Sequence, residues 1–208
     1  MLFRPEKLHS RVKSMKHFYP SLNLLLICLL TLQLQSCAAP LIVAGAAGGA
    51  TVANDQRSTR SLVDDQVIET KTKDKIYADA EVAKKIHINV TSYNGVVLLT
   101  GEALSRSLRD RAINIARHID KVRRVHNEIR VADLTGFTSR TNDGWITSKV
   151  KTQMLTAKGF KSSQVKVTTE AGTVYIMGLV TKEAGNQAAE IARNVSGVKR
   201  VVKLFEYI

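Results

Sequence analysis

The sequence predicts an α+β fold made of two tandem copies of one small domain, each of order αββαβ with two helices packed on a three-stranded mixed sheet. Three observations carry that reading. The chain repeats itself at a period of about 77 residues. Each copy holds two short β-rich runs around a turn signal, Asn94-Gly95 in the first and Ala171-Gly172 in the second. A helical spacing of apolar residues follows each hairpin.

The repeat is visible in blocks. NVTSYNGVVLLTG (89–101) aligns with KVTTEAGTVYIMG (166–178), IAR (115–117) with IAR (191–193), and VRRV (122–125) with VKRV (198–201). Upstream, Asp64-Asp65 aligns with Asn142-Asp143. The register slips by one residue between blocks, as a length change in a loop produces.

Each element has a local reason. Asp64 and Asn142, or the Asp beside each, are expected as N-caps of a first helix. Strands are expected at 87–91 with 96–100 and at 165–169 with 173–177. The second helix presents Leu104, Leu108, Ala112, Ile115 and Ile119 on one face, matched by Ala184, Ala188, Ile191 and Val195. Each copy closes on a β-branched strand, 122–130 and 198–206. The domains are thus expected at 62–131 and 142–208, joined by a linker at 132–141.

The N-terminus reads as an address rather than a fold. RVKSMKHFY (11–19) is basic, and the 13 residues 22–34 are mostly apolar. A membrane-spanning helix needs about 20 apolar residues, so this is the pattern of a secretory signal at 1–36, with Met15 as an alternative start. Its end, Leu34-Gln35-Ser36-Cys37, resembles the lipobox of bacterial lipoproteins. That resemblance implies cleavage before Cys37 and acylation there by a diacylglycerol and an N-acyl chain. Ala38 rather than Asp after the cysteine implies outer-membrane sorting. Residues 37–61 then hold the lipidated cysteine and a Gly/Ala-rich, later polar tether.

The whole chain carries a net charge of +13. Removing 1–36 leaves 26 basic and 17 acidic residues, a net of +9, so the excess belongs to the domains. A basic surface looks for an anionic partner. Export makes that partner a lipid surface, an acidic protein or an acidic polymer; nucleic acid is not expected. The only cysteines are Cys28 and Cys37, which leaves no disulfide framework. The histidines show no ligand-like spacing, and no nucleophile elbow or phosphate loop is present. Neither a metal, a non-covalent cofactor nor an enzymatic activity is expected.

Trp145 is the sole tryptophan. Ile146, Val150 and Met154 form the inward face of its helix, and at 100° per residue Trp145 points well away from them. Its outer neighbours are Ser148, Lys149, Thr152 and Leu155, with Lys151 at the flank. An amphipathic ring beside lysines suits a membrane interface. Burial in a seam between the domains, or at the edge of the core, is the other reading. Gly136 and Phe137 either join the contact or pack in the linker. Val67 takes the equivalent place in the first copy. Arg123-Arg124 and Lys199-Arg200 read as solvated strand starts or as ligand contacts, and Tyr93 as a turn residue.

The two hairpin blocks, their closing glycines Gly101 and Gly178, and the V-x-x-V entry to the last strand resemble the BON domain. Lipobox, tether and two such domains together are similar to the dual-BON outer-membrane lipoproteins associated with division sites and membrane integrity. The likeness covers residues 37–208, and NDGWITSKV (142–150) carries it most specifically. It implies that the first helix of the second domain contacts anionic phospholipid, phosphatidylglycerol or cardiolipin, through its tryptophan. It also implies a periplasm-facing, outer-membrane location with enrichment at division sites. The rival expectation is a periplasmic adaptor that binds an envelope protein or peptidoglycan.

Overall fold

The computed structural model describes residues 59–208; the expected signal segment, Cys37 and nearly all of the tether lie outside the described residues. The first domain runs α1 (Thr59–Tyr77), a one-turn α2 (Ala80–Ala83), β1 (Ile86–Tyr93), β2 (Val96–Ala103), α3 (Arg106–Arg117) and β3 (Arg124–Val131). The second runs α4 (Phe137–Thr156), a 3₁₀ turn (Ser162–Gln164), β4 (Val165–Glu170), β5 (Thr173–Val180), α5 (Lys182–Arg193) and β6 (Arg200–Tyr207). Apart from the short α2 and the 3₁₀ turn, this is the expected αββαβ order twice over.

Each sheet has three strands, ordered β1-β2-β3 and β4-β5-β6. The hairpin pair is antiparallel, and the last strand, returning after a helix, lies parallel to the central one. Both sheets are therefore mixed. The hairpins turn through two residues in the left-handed region, Asn94 and Gly95 at φ 53° and 74°, Ala171 and Gly172 at 50° and 76°. Asparagine and glycine adopt that backbone readily, whereas alanine does so at a cost of roughly 1 kcal/mol. Gly101, at φ 111°, permits close strand approach: a Cβ there would stand 1.9 Å from the His87 carbonyl oxygen.

Alternation along the strands sends one side of each sheet to its helices. Ile88, Val97, Leu99 and Ile129 meet Ile68, Ile76, Ala112 and Ala116 in the first core. In the second, Val167, Val174 and Ile176 meet Ile146, Val150, Met154, Ala188 and Ala192. The other sides are not left to water. Tyr93, Val96 and Leu98 pack with Tyr175 and Met177 in a third cluster, joined by Leu179, Val202 and Leu204. The two sheets therefore meet back to back, which explains why β2 is buried along its whole length. Consecutive apolar residues, VVLL at 96–99 and VYIM at 174–177, mark strands covered on both sides.

Several expectations are corrected here. Asp64 and Asn142 cap no helix, because α1 and α4 begin further upstream, at Thr59 and Phe137. The neighbouring aspartates turn inward instead. Asp65 accepts hydrogen bonds from the amides of Asn94 and Gly95, and Asp143 from those of Ala171 and Gly172, at 2.7–2.9 Å. Each buried carboxylate thus ties the first helix of its domain to the hairpin turn. Leu104 precedes α3 and is exposed rather than on its packed face. Tyr93 is a seam residue whose hydroxyl donates to the Gln164 carbonyl at 2.8 Å.

Charged residues close the seam at its rim. The Arg123 guanidinium donates to both Glu206 oxygens at 2.6 Å, and Asn94 Nδ2 donates to the same carboxylate at 2.8 Å. Partial burial pushes the Glu206 carboxyl up, but these donors prevail and hold it below its ordinary range. Lys166 Nζ reaches Glu69 at 2.6 Å, and Arg200 approaches Glu128 at 3.8 Å. Burial, followed by the Glu128 carboxylate that accepts its hydrogen bond, pushes the Tyr175 phenol up to about 12. Arg123 and Arg200 are thus seam cations rather than free strand ends.

Candidate functional site

Helix α4 is held from beneath from Asp143 onward. Ile146, Val150 and Met154 enter the core, Asp143 grips the hairpin turn, and Thr147 Oγ1 donates to Thr169 Oγ1 at 2.7 Å. These contacts fix its rotation about its own axis, and with it the outward stripe.

That stripe is apolar at three points. Phe137 is 77% exposed, Trp145 63% and Leu155 73%. At 100° per residue, Phe137 and Leu155 lie in line, and Trp145 stands some 80° to one side. Gly144, Ser148, Lys151 and Thr152 are exposed between and beside them. Lys149 folds over the indole with Nζ 5.5 Å from the ring centroid, within the range of a cation–π contact. Gly136 stands exposed at the head of the helix, which it precedes without a side-chain cap. Trp145 is therefore neither in the core nor in the seam, and Phe137 belongs to α4 rather than to a packed linker.

Four of the hydroxyls on this face bond back along the helix. Thr141 Oγ1 donates to the Phe137 carbonyl, Ser148 Oγ to Gly144, Thr152 Oγ1 to Ser148 and Thr156 Oγ1 to Thr152, each at 3.0–3.1 Å. Serine and threonine that bond back along a helix bring fewer unmet donors into a low-dielectric surrounding. The face is thus less hydrophilic than its composition states. Sequence spacing placed the expected contact residues on one side, but the internal hydroxyl ladder is a rotamer property that spacing alone does not reveal.

Sequence spacing also gave no sign of a polar cluster in the seam. His87 and Glu102 are neighbours across β1 and β2, and Glu170 of β4 joins them only because the two sheets meet. Glu102 is fully buried, with its carboxylate held by Arg130 and, at 3.1 Å, by Thr135 Oγ1.

The BON domain profile matches this chain twice, over residues 64–133 and 142–208. The chain belongs to the BON-domain family and carries two tandem copies of the module. It is 37% identical to the outer membrane lipoprotein DolP of Haemophilus influenzae over 178 residues, 86% of this chain and 92% of that protein. It is 38% identical over 154 residues to the 21 kDa hemolysin of Actinobacillus pleuropneumoniae, covering 74% and 79% of the two chains. Identity to the osmotically-inducible protein Y of Escherichia coli is 30% over 156 residues, covering 74% and 77%. Within its family the chain is a dual BON-domain protein of the DolP type.

Proposed function

We propose that this protein is a non-enzymatic, outer-membrane-associated lipoprotein. On this reading it is anchored at Cys37 and uses the outer face of α4 to select anionic phospholipid, phosphatidylglycerol or cardiolipin. The exposed Phe137–Trp145–Leu155 stripe flanked by Lys149 and Lys151 carries the reading. An aromatic ring at headgroup depth gives up apolar surface to the bilayer while the adjacent ammonium groups meet phosphate. Full burial of one large apolar side chain contributes roughly 1.5–3 kcal/mol. Each lysine near an anionic surface adds about 1 kcal/mol. A few such terms suffice for a reversible contact and fall short of an anchor. The acyl chains supply attachment, and the helix then decides which lipid region the protein occupies. The relative named as an outer membrane lipoprotein supports that location, and on the same reading a lipid-selective helix serves envelope integrity and concentrates the protein at division sites.

The test is co-flotation of residues 38–208, made without the anchor, on neutral and on anionic vesicles. The expected result is flotation with anionic vesicles alone, lost in Trp145→Ala and weakened by salt as screening shortens to about 10 Å at 0.1 M. Equal behaviour of wild type and variant would transfer the function to a protein or polymer partner.

A further inference from the structure

We propose that His87, Glu102 and Glu170 form a zinc site that staples the first domain to the second. His87 and Glu102 are direct cross-strand partners on β1 and β2, so both side chains leave the sheet on its seam side. Glu170 ends β4 and approaches them from the second domain. One donor atom from each lies within 4.8 Å of the others. Donors bound to one zinc at ~2.0–2.2 Å stand a little over 3 Å apart. Side-chain rotations that shorten the widest of these separations by about 1.5 Å close the cluster onto an ion.

The donors have the chemistry that an ion requires. His87 Nδ1 is buried and has no hydrogen-bond partner among the described residues. It faces Glu102 Oε2 at 3.6 Å, beyond hydrogen-bond range. A ring nitrogen without a hydrogen-bond partner is the kind that a metal ion takes up. Arg130 holds the other oxygen of Glu102, and Oε2, which accepts from Thr135 Oγ1 at 3.1 Å, keeps a second lone pair for the cluster. The Glu170 carboxyl is buried and receives one hydrogen bond, from Asn89 Nδ2 at 2.9 Å. Arg130 pairs with one of the two carboxylates, Glu102; an ion among the three donors would balance the second and give His87 Nδ1 the partner it lacks. A cleft of about 320 Å³, lined by His87, Asn89, Arg140, Thr168 and Glu170, gives an ion access.

One imidazole nitrogen and two carboxylate oxygens with an open position suit zinc. Calcium and magnesium require more oxygen donors than the cluster offers. Because the ligands come from both domains, binding would tighten the seam against which Asp143, and so α4, is set.

The full chain in detergent micelles, stripped of metal with a chelator, is titrated with zinc chloride by calorimetry. One equivalent is expected to bind with micromolar or tighter affinity, with calcium and magnesium far weaker. His87→Asn and Glu170→Gln should each weaken zinc binding by roughly tenfold or more, while His118→Asn leaves it unchanged. Circular dichroism checks that the variants fold. X-ray absorption at the zinc edge of the unmodified protein gives a readout independent of any variant, and one nitrogen with two or more oxygens is expected. Zinc bound equally by His87→Asn and Glu170→Gln, a sulfur or multi-histidine shell, or no micromolar binding would overturn the site.

Discussion

Helices α1 and α4 occupy the same place in the two copies, and their inward faces are nearly interchangeable. Asp65, Ile68, Thr72 and Ile76 point where Asp143, Ile146, Val150 and Met154 point, and all eight are buried. The outward faces differ. Val67, 42% exposed, stands where α4 has Trp145, and Asp74 where it has Thr152. Lys71 and Lys73 match Lys149 and Lys151, so the basic character is shared and the anchor is not. The inward face specifies the fold and the outward face specifies what the fold touches, which is how one module serves two purposes in one chain.

The largest expected effects test the shared half of this comparison. Ile146→Ala and Ile68→Ala should each cost about 2–5 kcal/mol in denaturant unfolding. Asp143→Ala strands two hairpin amides and should cost about 1–3 kcal/mol. A cost confined to one domain's residues would show that the copies do not support their cores alike.

Trp145→Ala comes next and tests the unshared half. It should lower partitioning onto anionic vesicles by roughly tenfold, equivalent to about 1.4 kcal/mol. Unfolding free energy should stay within about 0.5 kcal/mol of wild type, as for other exposed sites. The converse change, Val67→Trp, should raise vesicle affinity if the lysines on α1 already meet the surface.

A smaller effect exposes a defect in the first copy. Thr72 is buried, and its hydroxyl has no hydrogen-bond partner among the described residues, where the second copy has Val150. Thr72→Val keeps the shape and removes the unmet group, so a gain of about 1 kcal/mol is expected in thermal unfolding.

The smallest effect lies at the seam rim. Glu206 is held below its ordinary carboxylate range in the fold, so its contribution is present above about pH 4 and is lost as pH falls through its folded value. Because the pair with Arg123 is partly exposed, Glu206→Gln should cost under about 1 kcal/mol at pH 7 and nothing once wild-type Glu206 is protonated. A difference that persists at the lowest pH would mean that packing, not charge, holds the rim.

The repeat, the hairpins and the strand order were legible because local chemistry sets them: Asn94-Gly95 dictates its turn, and the apolar period dictates the second helices. The helix starts were not, because Asp65 and Asp143 look like caps in sequence and act as turn clamps only once the hairpin folds beneath them. The seam was missed for a related reason. Tyr93, Arg123 and Arg200 have local roles in a single domain, and their partners are set by how two sheets meet. On α4 the outward position of Trp145 followed from periodicity, whereas the meeting of His87, Glu102 and Glu170 depends on long-range packing that no spacing rule contains.

Trp145 is the only tryptophan, so its fluorescence reports on the central claim without a label. Residues 38–208 are mixed with vesicles of phosphatidylglycerol and of neutral lipid, and with brominated lipids that quench at known depth. A blue shift and shallow, headgroup-level quenching with anionic vesicles alone is the predicted result. An emission spectrum unchanged by anionic vesicles would contradict the account and assign the α4 face to a protein or polymer partner.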